Sequence, residues 1–440
     1  MTGDSVVAGG DVDGVDVGLT FDIGALDFGA VLDGEGPDAA SVSDAESIDS
    51  AADAGRECAE ERCNQRDDDC DGLIDESACP EPVCPEVVVT PPPAALGLDP
   101  FYTQYVDAGG IPIISRDGVP PAAFRVAYYV LAEMLDQRPC FRRSMIDSGL
   151  RVGLFGPNDV TTDFPEYSDF YEVFPGTDWD QRGRGFGATL TRPLSTVGYE
   201  NLLRLESDLW FGESILIHEW AHTYFEFGVR EQVGGLEQQA RLDALYDSAM
   251  QRGLWADTYA ATNSAEYWAE AVQSYFNTNL ASDPSDGVHN EIDTRPELLE
   301  YDPEMAAFIQ SIFPPRDWPP YCRLDGDGPA WRDPTPQGVD GAQCEPRYHS
   351  VVNVGCDLQV GSESSDVPVE LIFVNRRVGE SLTIEWINYE GQAQSFIELP
   401  PRSTAGQRTF QTHPWRIIDG QGACVGVFIT PGHNGRIILE

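Results

Sequence analysis

The chain contains no lysine, and its 27 basic residues, all arginine, face 74 acidic ones across 440 residues. At a formal net charge of −47 it lacks the basic footprint that phosphate binding requires, so nucleic acid is excluded as a partner. Long hydrophobic runs are missing too, and no stretch reaches the roughly 20 apolar residues that span a bilayer. The opening MTGDSVVAGGDVDGVDVG has neither a basic start nor a continuous apolar segment, so no secretory leader is visible in it. Histidine is scarce, at six residues. Cysteine is not: ten residues, an even number, fit an oxidising compartment. With 41% hydrophobic content the chain can bury sizeable cores in two or three domains. We therefore expect a secreted or cell-surface protein, and a start codon assigned downstream of the true one would explain why no leader is visible. An acidic surface suits a salty exterior.

Five cysteines are clustered (Cys58, Cys63, Cys70, Cys79, Cys84) and five are dispersed (Cys140, Cys322, Cys344, Cys356, Cys424). Since five is odd, full pairing requires at least one bridge between the groups. Cys84 has Cys140 and Cys322 as candidate partners, and Cys356 with Cys424 would close the last domain.

Two of the few histidines stand four apart with a glutamate after the first, His218-Glu219-Trp220-Ala221-His222. Positions i and i+4 stack on one helix face, so both imidazoles can reach one ion. Glu219 lies one position round, close enough to take a proton from a water that the ion acidifies. This is the HExxH signature of zinc hydrolases. The surrounding Ile215, Leu216, Ile217, Ala221, Tyr224 and Phe225 predict a helix buried on most sides, with Ser207 or Asp208 as its N-cap and Gly228 ending it after Phe227.

A catalytic zinc takes three protein ligands and leaves a fourth position open. Glu237 and Asp243 are near in sequence, but a better third ligand lies in a second predicted helix, Ser264 to about Asn277. Its sequence SAEYWAEAVQSYFN sets Glu266 and Glu270 among aromatic residues, where an uncompensated charge is costly and a metal ion is a sufficient partner. The stretch YAATNSAEYWAEAV, Tyr259 to Val272, resembles the segment after the HExxH helix in the catalytic domain of anthrax lethal factor and its relatives. The resemblance covers roughly residues 210–280. It implies Glu266 as the third zinc ligand and Tyr259 as a catalytic helper. The flanking chain, about Asp99 to Tyr321, looks like a bacterial family of uncharacterised secreted proteins.

These roles imply a mechanism. Zinc on His218, His222 and Glu266 lowers the pKa of a water from 15.7 toward about 7. Glu219 takes that proton as general base and delivers it to the leaving amine, while Tyr259 hydrogen-bonds the developing oxyanion. Glu270 either orients a histidine from behind or simply packs. The site is set among negative charges, which favours cationic or neutral substrates.

Residues 1–56, rich in Asp, Gly, Ala and Ser, read as a disordered acidic spacer. Residues 57–84 place Asp67, Asp69 and Asp71 at alternate positions before Gly72, with Asp75 beyond, a pattern that wraps a hard cation in oxygens. Calcium is the expected ion. The segment resembles a cysteine-framed metal-binding motif, CN-x-x-DDDCDG-x-x-DE, of secreted bacterial proteins. Pro-rich 85–97 reads as a stiff linker.

The metallopeptidase domain is assigned to 98–320, with helical periodicity at Phe124–Leu135 and a strand at Leu150–Phe155. Gly-rich 182–193 is expected to supply an edge strand along which an extended peptide can add. A Cys-containing connector, 321–365, leads to alternating strand-like runs over 366–440 that predict a small β-sandwich. Trp386-Ile387-Asn388, Gly391, Leu399-Pro400-Pro401, His413-Pro414-Trp415 and Asp419 resemble the β domain of the von Hippel-Lindau tumour suppressor. In that family a tyrosine, a serine, a histidine and a tryptophan line a hydroxyproline pocket. By ungapped counting these fall on Phe396, Thr409, His413 and Trp415, and Phe396 lacks the tyrosine's hydroxyl. The resemblance implies a module that binds protein, with proline-rich or collagen-like partners in view. His289, His349 and His433 fit no ligand spacing.

The expected architecture is multidomain: an α+β zincin-like catalytic domain followed by an all-β sandwich, after a disordered N-terminus. The expected activity is zinc-dependent hydrolysis of protein or peptide substrates. Two alternatives are a zinc hydrolase of non-peptide acyl bonds and a non-enzymatic adhesion protein with structural metals.

Overall fold

The computed structural model describes residues 82–135, 138–313, 319–325 and 344–440. The acidic spacer and the motif bearing Asp67, Asp69, Asp71 and Asp75 lie outside the described residues. Two compact units emerge, one ending at Arg347 and one spanning Tyr348–Glu440.

The first unit mixes helix and sheet. Strands β1 (Gln104–Asp107) and β2 (Pro112–Ser115) pair antiparallel; β3 (Arg151–Phe155) and β4 (Leu194–Gly198) extend the sheet in parallel, in the order β1-β2-β3-β4. Parallel pairing needs a long crossover. Helices α1 (Pro121–Met134) and α2 (Pro139–Asp147) supply it between β2 and β3, and the one-turn helices α3 (Phe170–Val173) and α4 (Trp179–Arg182) precede β4. Proline opens both α1 and α2, where its fixed φ suits the first turn and no amide partner is lost. Beyond the sheet come α5 (Tyr199–Leu202), α6 (Ile215–Tyr224), α7 (Gly235–Arg252), α8 (Ser264–Tyr275), α9 (Arg295–Tyr301) and α10 (Pro303–Ile312). Phe124 and Leu131 of α1, Trp220 and Tyr224 of α6, Trp268 of α8 and Phe308 of α10 share one buried core with Ile113 and Val152 of the sheet. The expected helix at Phe124–Leu135 and strand at Leu150–Phe155 are thus present as α1 and β3.

Cys84–Cys322 and Cys140–Cys344 are disulfides within this unit, and every described cysteine is paired. The Pro-rich stretch is not a free linker. Thr90 bridges to Tyr105, Val87 and Val89 pack on the core, and Arg125 donates to the carbonyls of Cys84 and Pro85.

The predicted start of the HExxH helix needs correction. Ser214 caps it by accepting from the Ile217 amide, whereas Asp208 caps nothing helical and accepts from the Trp210 amide in a preceding turn. Leu209 and Phe211, which mimic helical periodicity, stand exposed. Gly228 does not stop the chain after Phe227 either, because a π-helical turn carries it through Phe225–Val229.

The second unit has two four-stranded sheets, β11-β10-β7-β8 and β5-β12-β6-β9. Its strands are β5 (His349–Ser350), β6 (Pro368–Asn375), β7 (Leu382–Ile387), β8 (Ala393–Leu399), β9 (Ser403–Phe410), β10 (Pro414–Ile418), β11 (Cys424–Ile429) and β12 (Gly435–Leu439). Alternate residues of both sheets, such as Leu371, Phe373, Ile384, Trp415 and Ile437, meet in one apolar core. Cys356–Cys424 is a disulfide here. The unit begins at Tyr348, before the change of texture at Asp366, because β5 pairs with β12 and the Tyr348 hydroxyl donates to Glu370.

Candidate metal centre and aromatic cluster

Two capped helices build the first site. Asn263 caps α8 by accepting from the amides of Ala265 and Glu266, which fixes Glu266 in the first turn. Trp268 one turn on donates its indole N–H to the Ala221 carbonyl at 2.8 Å and ties α8 to α6. The pair brings three ligand atoms together. His218 Nε2 and His222 Nε2 are 3.2 Å apart, and each is 3.2 Å from Glu266 Oε2.

That triangle can be tested against an ion. Three ligands about 2.05 Å from one tetrahedral zinc stand about 3.3 Å from one another, which is the separation found. The donor set of two imidazoles and one carboxylate also suits zinc and leaves a position open. Glu237 and Asp243, the other third-ligand candidates, lie on α7 and are not in the cluster; Asp243 accepts from Ser264 and Gln239. His218 and Glu266 are buried while His222 keeps 16% of its side chain exposed, so the cluster is reached from the His222 side.

The surrounding charges shape each group. Burial opposes the charge on His218, but hydrogen bonds with Glu266 and Glu270 outweigh it and hold its pKa well above the usual range. Burial likewise opposes the Glu266 carboxylate, and His222 and His218 overcome it, so its pKa falls well below normal. Glu219 goes the other way: burial raises its pKa, with partial relief from His218 and His222. The phenol of Tyr259 is pushed up by burial and by the carboxylates of Glu266 and Glu219, so it stays a proton donor. Its ring lies roughly parallel to that of His218, centroids 6.2 Å apart. The site is not purely negative, because the Arg182 guanidinium at the end of α4 acts on both Glu219 and Tyr259.

Glu270 approaches the site from behind, its Oε1 3.3 Å from His218 Nδ1, and is held by Asn279. Sequence reasoning missed Gln273, whose Oε1 is closer to that nitrogen at 2.7 Å. An uncharged amide carries no ligand signature, and only its place two turns after Glu266 on α8 could have marked it.

Over the open side of α6 runs the Gly-rich segment. It makes a single bridge rather than a full edge strand, Phe186 exchanging backbone hydrogen bonds with Thr196 of β4. In an antiparallel pair the flanking Gly185 and Gly187 turn their peptide groups away from β4. A Cβ on Gly185 would stand 2.5 Å from Ile215 Cγ2 and 2.8 Å from Glu219 Oε1, and one on Gly187 3.0 Å from His222 Cβ. Glycine is what lets this segment lie against the HExxH turns of α6.

The second unit carries an aromatic cluster around His413. Its Nδ1 is 3.3 Å from Thr409 Oγ1 and its Nε2 3.3 Å from the Tyr389 hydroxyl. The rings of Trp386, Tyr389 and Phe410 lie 5.5–5.7 Å from its own. Phe396 stands edge-on to Trp415 at 5.4 Å, and Trp415 pairs across strands with Trp386. Burial lowers the pKa of His413 and keeps it neutral. Residues 360–423 match the family model of the VHL beta domain. The match lies inside this unit, ending before β11 and β12, and does not reach the His218, His222 and Glu266 cluster; no curated protein matches the chain. Within the VHL-like unit Thr409 of β9 meets His413 in the turn before β10, and Phe396 of β8 meets Trp415 of β10, with Trp386 of β7 between the two pairs. Tyr389 was not anticipated, and it brings a hydroxyl to the cluster that Phe396 lacks. VHL beta domains are protein-interaction modules, which is consistent with protein partners. No helix among the described residues is long and apolar enough to cross a membrane.

Proposed function

We propose that the chain is a secreted zinc metallopeptidase of zincin type with a protein-binding C-terminal unit. The observation that carries this reading is the 3.2 Å triangle of His218, His222 and Glu266, with the buried Glu219 carboxylate next in sequence. Bound there, zinc would supply Lewis acidity to a water and to the scissile carbonyl. Glu219 accepts the proton of the attacking water and passes it to the amine as the C–N bond breaks. Its raised pKa suits a group that must both take and give that proton. The Tyr259 hydroxyl donates to the oxygen on which charge develops. The outward peptide groups of Gly185 and Gly187 offer an extended substrate a strand to pair with. The three disulfides among the described residues fit the oxidising exterior expected of a secreted protein. Calcium at Asp67, Asp69, Asp71 and Asp75 belongs to the same proposal. Cleavage of a quenched peptide library, abolished by a chelator and restored by zinc, tests the reading against a zinc hydrolase of other acyl bonds.

Gly185→Ala gives a first variant. The added methyl group displaces the Glu219 carboxylate, and misplacement by about 1 Å costs on the order of 100-fold in rate. The expected result is a kcat reduced by about that factor with zinc content unchanged; an unaltered kcat contradicts the contact.

For the VHL-like unit we propose that Tyr389, Phe396, Phe410 and His413 bind proline-rich or collagen-like protein. The exposed aromatic faces of Tyr389, Phe396 and Phe410 support this. The clean deletion is 348–440, since it removes both cysteines of the Cys356–Cys424 bridge. Such a chain should lose about tenfold in kcat/KM on proline-rich proteins, through lost local concentration, and cleave short peptides unchanged. Equal losses on both substrates, or none on either, defeat the proposal.

A further inference from the structure

Behind the triangle lies a buried relay that the proposed chemistry leaves unused. His218 turns Nε2 toward Glu266 and His222, so in a metal complex the proton of its ring sits on Nδ1 and needs an acceptor. Gln273 Oε1 is the nearer acceptor at 2.7 Å, with Glu270 Oε1 beside it at 3.3 Å. A carboxamide can present either end, and here the other end decides: Gln273 Nε2 donates to Glu213 Oε2 at 3.0 Å and to the Ser214 carbonyl at 3.3 Å. Flipping the amide would set N–H against N–H and oxygen against carboxylate. Glu213, with the Ser214 carbonyl beside it, therefore fixes the orientation of Gln273, and Glu213 is itself buried and needs a counter-charge.

His289 supplies one. It is 5% exposed, with Nε2 3.6 Å from Glu213 Oε1 and Nδ1 3.5 Å from Asp286 Oδ2. The same loop reaches the tyrosine. Asp286 Oδ1 accepts the amides of Val288 and His289, and the Val288 carbonyl accepts the Tyr259 amide at 2.8 Å.

We propose that His289 is a positioning residue: clamped between Glu213 and Asp286, it holds the Gln273 amide that orients His218 and seats the loop that holds Tyr259. The part that concerns His218 rests on the metal reading, and the clamp itself does not. The charged groups facing His289 are Glu213, just before α6, Glu270 on α8 and Asp286 on its own loop. Burial disfavours its charge, but these three carboxylates prevail and raise its pKa to about 9. A histidine raised in this way stabilises the fold fully below its unfolded value near 6.5, and the contribution is lost as pH rises through about 9.

The test uses the full chain with His289→Asn, Glu213→Gln and the double variant, in two arms. Zinc affinity, read by competition with a chromogenic chelator, should fall about 10- to 100-fold in either single variant. The double variant should be no weaker than the worse single, because the two residues act in series. In the metal-free chain, the melting temperature of the wild type should fall between pH 6.5 and 9 relative to His289→Asn, whose curve lacks that component. Multiplicative zinc losses, or melting curves that run parallel across this range, overturn the proposal. A wild-type chain that binds no zinc would refute the metal reading instead, and His289 would then be judged on the melting curves alone.

Discussion

Replacing Glu219 by glutamine should abolish peptide cleavage and leave zinc in place. Glutamine keeps the shape of the side chain, and Glu219 contributes no atom to the ligand triangle, so metal content should match the wild type. The amide cannot accept the proton of the attacking water. General acid–base catalysis is worth about 10²- to 10⁴-fold, and here one group serves both transfers, so a loss near the upper end is expected. Burial already disfavours the charged form of Glu219, so the neutral variant should fold at least as stably. Residual activity within tenfold of wild type, at equal zinc content, would remove Glu219 from the chemistry.

Glu266→Ala should have the opposite signature. It deletes one corner of the triangle and leaves His218 and His222 as an incomplete pair, which does not make a catalytic zinc site. Loss of an outer partner alone costs about 10- to 100-fold in affinity, so loss of a ligand should cost more than about 100-fold and leave the purified variant without metal. Activity falls with it and returns only at high added zinc. Retention of zinc in Glu266→Ala would cancel the assignment and reopen Glu237 or Asp243, which the fold sets on α7 outside the cluster. Together the two variants separate holding the ion from moving the proton.

The parts of this site that were legible in the sequence are those that obey local periodicity. His218 and His222 are one helical turn apart on a face, and Glu266 sits in an aromatic helix where a lone carboxylate needs a partner. The end points of α6 were not, because Leu209 and Phe211 continue the apolar pattern while Gly212, at φ +116°, turns the chain before Ser214 caps it. The relay of Gln273, Glu213 and His289 joins three segments that carry no common spacing, so only folding brings it together. In the second unit, six strands read directly from their alternation. β5 and β12 did not: each is short, β12 pairs in parallel with both β5 and β6, and neither pairing is announced by a hairpin turn. Tyr389 was overlooked for a similar reason, since it sits in the turn after β7 and its hydroxyl meets His413 in the turn before β10, where no strand alternation marks either residue.

The central claim is that His218, His222 and Glu266 hold one zinc ion with a coordination position left for substrate or water. Zinc-edge X-ray absorption on the purified, dialysed full chain tests it most directly. The account predicts one zinc per chain with two imidazole nitrogens, oxygen ligands and no sulfur in its coordination sphere. A chain that retains no zinc, or a zinc closed by four protein ligands, would contradict it and favour a structural role for the metal.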